Sequence, residues 1–212
     1  MRTIKIFLAG IVGMGLICAL GVGIEPPDRA KVEVRSKAGL LTPAYPWIGK
    51  GDLLRVDILC DDGPSASLVL YEPKKSKERL LVTGSVTAVA RIVREANQDV
   101  DRSFLAEKLP HLLLLTCADR GCALMDAGYL AAYQESTEKD AKTEAFLRSH
   151  CRAAVAVKKG NEWELAINVI DRDGESFEWI LTGTVNAFEV RSSMKRILSQ
   201  SGEIKPLLIY GG

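Results

Sequence analysis

Residues 153–170 read AAVAVKKGNEWELAINVI, in which two strand-like runs meet at a tight turn. In the second run Trp163, Leu165, Ile167 and Val169 recur at every second position, which is the period of a strand with one buried face. The KGNE sequence at 159–162 places glycine and asparagine where a hairpin reverses direction. This stretch therefore predicts two paired strands.

The residues that follow predict a third strand and a closing helix. The sequence DRDG at 171–174 is typical of a turn. Phe177, Trp179 and Leu181 alternate after it and predict a strand with these side chains inward. Helical spacing then indicates a helix over 187–198 that ends before Gly202, with its apolar face formed by Ala187, Val190, Met194, Ile197 and Leu198.

Helical spacing also dominates the residues upstream of the hairpin. Ser85 is a suitable amino-terminal cap for a helix whose apolar positions are Val86, Val89, Ala90, Val93 and Ala96. A second helical piece contains Phe104, Leu105 and Leu109 and is expected to end at Pro110. The four leucines within 111–116 predict a strand covered on both faces. Residues 125–149 are expected to be mostly helix, supported by ion pairs such as Glu144–Arg148.

Residues 31–83 have mostly the pattern of strands. Alternation predicts strands over 31–35, 52–60, 67–71 and 79–83, with turns between them. The expected fold class is therefore α+β. A small β-rich module over 31–84 precedes an α+β domain over 85–212, in which a mixed sheet packs with helices.

The amino-terminal segment predicts where the chain is sent. Ile6 to Ile24 are nineteen consecutive uncharged positions, preceded by Arg2 and Lys5. A charged start, an apolar middle and a small-residue end are the parts of a secretory signal. About 20 apolar residues also suffice to cross a membrane, so residues 1–24 are either a signal peptide or an anchor. Residues 25–30, with two prolines, are expected to form a linker.

Either interpretation places the body of the protein outside the cytoplasm. Basic residues before the apolar run favour an amino terminus that stays inside. The expected location is the periplasm, or the inner membrane with the body outside the cytoplasm. A lipid-modified Cys18 is a third alternative, but the bulky Ile17 before it disfavours bacterial lipidation.

The charge balance of the chain disfavours nucleic acid as a partner. Without Arg2 and Lys5, 26 basic and 27 acidic residues remain, for a net charge of −1. Binding to a polyanion needs a broad basic surface, which a balanced composition does not indicate. The membrane is expected as a partner only through residues 1–24, if they are not cleaved.

Four cysteines outside the leader are candidates for disulfide bonds: Cys60, Cys117, Cys122 and Cys151. An even number in an exported chain favours bridges. Cys117 and Cys122 flank a plausible turn, ADRG, so the favoured pairing is Cys117 with Cys122 and Cys60 with Cys151. Two other pairings remain open. Zinc is disfavoured, because neither His111 nor His150 has a familiar ligand spacing with the cysteines.

The sequence contains little that indicates catalysis. His150 and Cys151 are adjacent, but neighbours on a strand point to opposite faces. Asp171, Asp173 and Glu175 resemble the opening of a calcium loop, although its later positions do not match. There is no glycine-rich phosphate loop and no G-x-S-x-G motif. No catalytic residue, cofactor or metal is therefore predicted, and a non-enzymatic protein is favoured.

Residues 80–200 resemble a periplasmic domain shared by the TolB amino-terminal region, the curli secretion protein CsgG and the penicillin-binding-protein activator LpoB. The residues that carry the resemblance are the strands at 151–157 and 163–170, the turn at 171–175 and the amphipathic stretch at 187–198. A shorter similarity, at 45–56, is to the opening of polysaccharide-export proteins. Both resemblances imply proteins that act through contacts and bring no catalytic residues with them.

The expected function is therefore that of an exported cell-envelope protein which binds a protein partner in envelope assembly or transport. Two alternatives remain open. One is an exported thiol hydrolase that uses Cys151 with His111. The other is a secreted effector, which would be found in the culture medium.

Overall fold

A computed structural model describes residues 35–59, 66–74, 78–137 and 139–197, which belong to one compact unit. The chain is an α+β protein, as the sequence predicts. Residues 1–34, with the expected leader, lie outside the described residues, as do Cys60, Gly202 and the turn expected at 61–64. Within the described ranges, no helix has the length and apolar composition that a membrane crossing requires.

The first sheet contains four antiparallel strands in the order β1–β2–β3–β4. Their bounds are Arg35–Leu40 (β1), Gly51–Leu59 (β2), Ala66–Pro73 (β3) and Leu80–Leu81 (β4). Short 3₁₀ turns at Thr42–Ala44 and Pro46–Ile48 join β1 to β2. Strands are therefore confirmed in the described parts of 52–60, 67–71 and 79–83, although the last is only two residues long.

Helices connect the two sheets. Helix α1, Val86–Ala96, begins at Ser85, whose side chain accepts a hydrogen bond from the Ala88 amide, and this cap confirms the predicted start. A π-helical turn at Phe104–Lys108 leads into α2, Leu109–Leu114, and a 3₁₀ turn at Leu115–Cys117. Helices α3, Ala127–Glu135, and α4, Ala141–His150, confirm the helical character of 125–149.

The second sheet contains the hairpin predicted within residues 153–170. Its strands are Ala123–Leu124 (β5), Val155–Lys159 (β6), Glu162–Ile170 (β7), Ser176–Thr184 (β8) and Glu189–Ile197 (β9). β5 and β6 pair with different parts of β7, and the order continues through β8 to β9. Gly160, at φ 59°, and Gly174, at φ 83°, lie in the two predicted turns, where a positive φ favours glycine.

Two predicted elements are wrong, and the first lies in the leucine-rich segment. Residues 111–116 were expected to form a strand, but α2 and the following 3₁₀ turn include them. The expected end of the preceding helical piece at Pro110 is also wrong, because the π-helical turn runs directly into α2 and Pro110 lies in the first turn of that helix. Leu109, Leu112 and Leu113 are fully buried while His111 is exposed, so the pattern is that of a buried helix. A short apolar run does not distinguish a buried helix from a buried strand.

The second wrong element is the closing helix expected over 187–198. Residues 189–197 instead form β9, which pairs with β8 along its whole length. Phe188 adopts φ 36°, which a helix does not contain, and its buried ring stacks on Trp163 at 5.6 Å. Pairing with β9 provides hydrogen-bond partners for the backbone amides and carbonyls of the β8 edge. The periodicity of residues 187–198 contains no information about that edge, so it could not predict the strand.

The expectation of a mixed sheet is also wrong for the described strands, since all their pairings are antiparallel. Strands β6 to β9 follow each other through tight turns, and a tight turn can join only antiparallel neighbours. The predicted boundary between 31–84 and 85–212 stays a prediction. One large core nevertheless contains buried residues from both sides of it, among them Leu53, Tyr71, Leu109 and Leu165.

A second, smaller cluster lies between β7 and the helical pair α3–α4. It contains the buried side chains of Met125, Tyr129, Tyr133, Phe146, Leu147 and Ile170, with Cys151 partly buried against it. Cys117 and Cys122 belong to the large core and Cys151 to this smaller cluster, so the cysteines within the described residues have two different surroundings.

Candidate dithiol site

A short turn brings Cys117 and Cys122 together. Cys117 ends the 3₁₀ turn after α2, and Cys122 directly precedes β5. The amide of Arg120 donates to the carbonyl of Cys117 at 3.0 Å, and the following Gly121 has φ 62°. A residue with φ in this region is normally glycine, so Gly121 permits the chain to reverse between the two cysteines.

The two thiols titrate as a pair. The hydrogen bond from the Cys122 thiol lowers the pKa of Cys117 to about 7; burial opposes this shift, while the positive charge of Arg120 supports it. The same contact raises the pKa of Cys122. The pair therefore releases its first proton near neutral pH and retains the second.

A buried carboxylate holds Arg120 beside the thiols. Arg120 Nη2 donates to Asp171 Oδ2 at 2.6 Å, and only 4% of the Asp171 surface is exposed. Oδ1 of Asp171 also accepts the amides of Asp173 at 3.1 Å and Glu175 at 2.9 Å, which shapes the turn before β8. The guanidinium carbon of Arg120 lies 4.9 Å from the centre of the Phe177 ring. These contacts position a cation where it stabilises a thiolate.

A cavity of about 640 Å³ opens beside Cys122. Cys122 is half-buried and lines this cavity, whereas Cys117 is 8% exposed and is not among the lining residues. The two sulfur atoms therefore differ in access. The apolar lining comes from the first sheet, α2, the residues around β5, and α3: Leu41, Tyr45, Val69, Leu114, Leu115, Leu124 and Tyr129.

Cys151 lies in a different environment. It follows α4 and packs against the second cluster, where burial, followed by the negative charge of Asp126, raises its pKa to about 11. His111 lines the cavity beside Cys122. His150 Nδ1 lies 2.9 Å from the Phe146 carbonyl, and its ring stacks on Phe146 at 4.3 Å. These placements give no support to a nucleophile formed by Cys151 and His111.

Only one of the two predicted disulfide bonds has both its cysteines within the described residues. The described cysteines, Cys117, Cys122 and Cys151, are free thiols. The contact between Cys117 and Cys122 places them as neighbours, and their bridge stays a prediction. The pairing of Cys60 with Cys151 also stays a prediction, since Cys60 lies outside the described residues. Within the described ranges, no three His, Cys, Asp or Glu side chains are grouped to hold a metal ion.

Sequence reasoning missed the two charged residues of this site. Arg120 is visible between the cysteines, but Asp171 lies 51 positions away and was interpreted only as part of a turn. The pairing of β5 with the end of β7 brings Ala123 opposite Ile170 and so places the two turns side by side. A cation between two cysteines is the one local signal that indicates an activated pair.

Comparison with known proteins adds no assignment to this site. The resemblance to the TolB, CsgG and LpoB domain stays a prediction, and the closing helix that it includes is replaced by β9. The chain matches no protein-family model, and neither curated proteins nor solved structures yield a match.

Proposed function

We propose that the chain is an exported cell-envelope protein which binds a protein partner, and that the partner contributes a strand which pairs with the free edge of β9. The expected leader in residues 1–24 supports export, and the geometry of the second sheet supports the mode of binding. The notion of a protein that acts through contacts also agrees with the absence of catalytic motifs from the sequence.

The observation that carries this proposal is the exposure of β9. Among the described strands, β9 pairs only with β8 and ends the second sheet. The side chains of residues 191–196 are all exposed, so both faces of the strand are open to solvent. A long edge strand offers backbone donors and acceptors to an extended segment of another chain.

The charges on β9 indicate the chemistry of the partner. Arg191, Ser193 and Lys195 lie on one face with Glu189, and Lys195 is opposite Glu178 of β8. On the other face Arg196 binds Glu175 at 2.7 Å. The basic side chains of the edge repel another basic strand. An extended acidic segment could form backbone hydrogen bonds with β9 and ion pairs with its basic side chains. The proposed partner therefore presents such a segment.

Site-specific photocrosslinking in cells tests this proposal. A photoreactive residue at Ser193 should link to one envelope protein, through a peptide that mass spectrometry identifies as extended and acidic. The same residue at Thr87, which is exposed on α1, serves as the matched control. Lys195→Glu should abolish the crosslink, while Lys142→Glu, an exposed charge reversal on α4, should leave it unchanged.

Two results contradict the proposal. Equal crosslinking from Ser193 and Thr87 would show that β9 is not a specific edge. A crosslinked peptide that is basic or helical would exclude the strand-addition mode. Fractionation with amino-terminal sequencing separates the remaining alternatives, since a secreted effector accumulates in the medium and an envelope protein does not.

A further inference from the structure

We propose that the Cys117–Cys122 pair is a thiol–disulfide exchange site. In its disulfide form the pair would take two electrons from two cysteines of an exported polypeptide that carries apolar residues beside them. This activity is separate from partner binding at β9, and it requires a different part of the molecule.

The different access to the two sulfur atoms defines the first step. Cys122 lines the cavity, while Cys117 is almost completely buried. A thiolate of the substrate therefore attacks Cys122 Sγ. A bond forms between the substrate sulfur and Cys122, the Cys117–Cys122 bond breaks, and Cys117 leaves as a thiolate.

The surroundings of Cys117 suit a leaving group. Exchange is faster when the departing thiol has a low pKa. Arg120, held by Asp171 at 2.6 Å, supplies a positive charge near both cysteines. The neighbouring hydroxyl, Thr116 Oγ1, lies 3.7 Å from Cys117 Sγ, so the departing sulfur remains in polar surroundings although it is buried.

The second step completes the transfer. The other substrate thiolate attacks the substrate sulfur of the mixed disulfide and releases Cys122 as a thiolate. The substrate now contains a disulfide, and the two protons that its thiols lost are available to Cys117 and Cys122. Two electrons have passed to the protein, and a disulfide of low molecular weight, such as oxidised glutathione, restores the starting state.

The cavity selects the class of substrate. Its volume of about 640 Å³ is within the usual range for ligand sites, and most of its lining surface is apolar, although Arg55, Asp126, Asp171 and Arg172 also line it. Leu115 and Leu124 lie close in sequence to the two cysteines and line it on either side of the turn. An unfolded segment with apolar residues next to its cysteine fits this surface better than a charged peptide.

Two peptide dithiols of equal length test the proposal on the full-length oxidised protein. One has apolar residues beside its cysteines and the other has charged residues. Burial of one apolar side chain is worth about 1.5 kcal/mol, so reduction by the apolar peptide should be about tenfold faster. Leu115→Arg should remove this preference, whereas Lys142→Glu, an exposed change on α4 that is not among the lining residues, should keep it.

Trapping experiments identify the attacked sulfur. Reduced Cys117→Ser, incubated with the disulfide form of the apolar peptide, should accumulate a mixed disulfide on Cys122, visible as an added mass: the Cys122 thiolate attacks one peptide sulfur, and the other peptide sulfur leaves as a thiolate. Cys122→Ser should accumulate none, because Cys117 is buried. Cys151→Ser should exchange at the rate of the unaltered protein, and so should Lys195→Glu, which separates this activity from the β9 edge.

The opposite outcomes overturn the proposal. Equal rates of reduction by the two peptides would show that the cavity does not select the substrate. A mixed disulfide on Cys117, or a bridge that excess apolar dithiol does not reduce, would show a purely structural pair.

Discussion

Cys117, in the turn it shares with Cys122, and Cys151, at the end of α4, have pKa values shifted in opposite directions. Burial raises the pKa of the thiol in both places. At Cys117 a thiol donor and a nearby arginine outweigh burial, whereas at Cys151 the neighbouring charge is Asp126 and adds to it. The difference teaches that the charges and donors around a wholly or partly buried cysteine, rather than burial alone, decide how readily its thiol ionises.

The ionisation of the two regions at pH 7 should differ most. With pKa values of about 7 and about 11, half of the pair but only about one in 10⁴ of the Cys151 thiols is ionised. Because Cys117 is too buried to be alkylated directly, the ultraviolet absorbance of the thiolates in the reduced protein, followed against pH, measures the difference. The transition near pH 7 should remain in Cys151→Ser and disappear in the double variant with Cys117→Ser and Cys122→Ser. Its loss in Cys151→Ser would contradict the comparison.

Removal of the carboxylate behind Arg120 should cause the largest loss of stability. Asp171→Ala removes three hydrogen bonds from a buried acceptor, one of them to a cation. The free energy of unfolding should fall by about 2 to 4 kcal/mol. Asp171→Asn retains an oxygen for the amides of Asp173 and Glu175 and should lose less. Denaturant titration of both variants checks this order, and equal losses would contradict it.

The pH dependence of stability should also distinguish the two regions in the reduced protein. A lowered pKa at Cys117 contributes stability above the unfolded value near 9, and this contribution is lost as the pH falls through about 7. The raised pKa at Cys151 contributes stability that is complete below pH 9 and is lost as the pH rises through about 11. Between pH 7 and 9 only the first contribution changes.

Comparison of variants isolates this effect. From pH 7 to pH 9 the unaltered protein should gain about 1 to 2 kcal/mol relative to the double variant with Cys117→Ser and Cys122→Ser. Against Cys151→Ser it should gain nothing over the same range. Urea titrations at the two pH values in the presence of a reductant provide the measurement, and a gain against Cys151→Ser would reverse the assignment.

The turn between the cysteines should tolerate some residues better than others. Gly121 has φ 62°, so Gly121→Ala should cost about 1 kcal/mol of unfolding free energy. Asparagine adopts this region more readily, and Gly121→Asn should cost less. Thermal unfolding of the two variants tests whether Gly121→Ala destabilises the protein more than Gly121→Asn does. A neutral Gly121→Ala would show that the positive φ does not hold the thiols together.

The smallest effect should come from the charge next to Cys151. Asp126 caps α3 by accepting the Tyr129 amide at 2.9 Å, and asparagine caps equally well. Asp126→Asn should therefore lower the pKa of Cys151 with little change in stability. The pKa shift should be smaller than that caused by burial, which is the larger contribution. The pH profile of Cys151 alkylation measures this change, and a rise in pKa would contradict it.

Much of the second sheet could be predicted from local pattern. The hairpin β6–β7, the turn at 171–174 and strand β8 have regular alternation and glycine at the reversals. Helix α1 has both its apolar stripe and the Ser85 cap. In each of these elements the residues that determine the conformation are close together in the sequence, so periodicity, caps and turn residues are enough to predict it.

The failures occur where distant partners decide. The residues of β9 have the spacing of an amphipathic helix, but the open edge of β8 and the buried Phe188 ring make them a strand. The leucines of α2 suit either a buried strand or a buried helix, and packing in the large core selects the helix. Local periodicity indicates which side chains lie on the same face of an element, but it does not indicate which other element packs against that face.

By itself the sequence determined the α+β class, the hairpin at its centre and the presence of two cysteines on either side of a turn. The tertiary structure alone decided that these cysteines titrate as a pair beside Arg120 and that Cys122 lines a cavity, while Cys151 is partly buried near an aspartate. The reason is physical: alternation and capping act over a few residues, whereas a thiol's acidity depends on charges and donors brought close from distant parts of the chain.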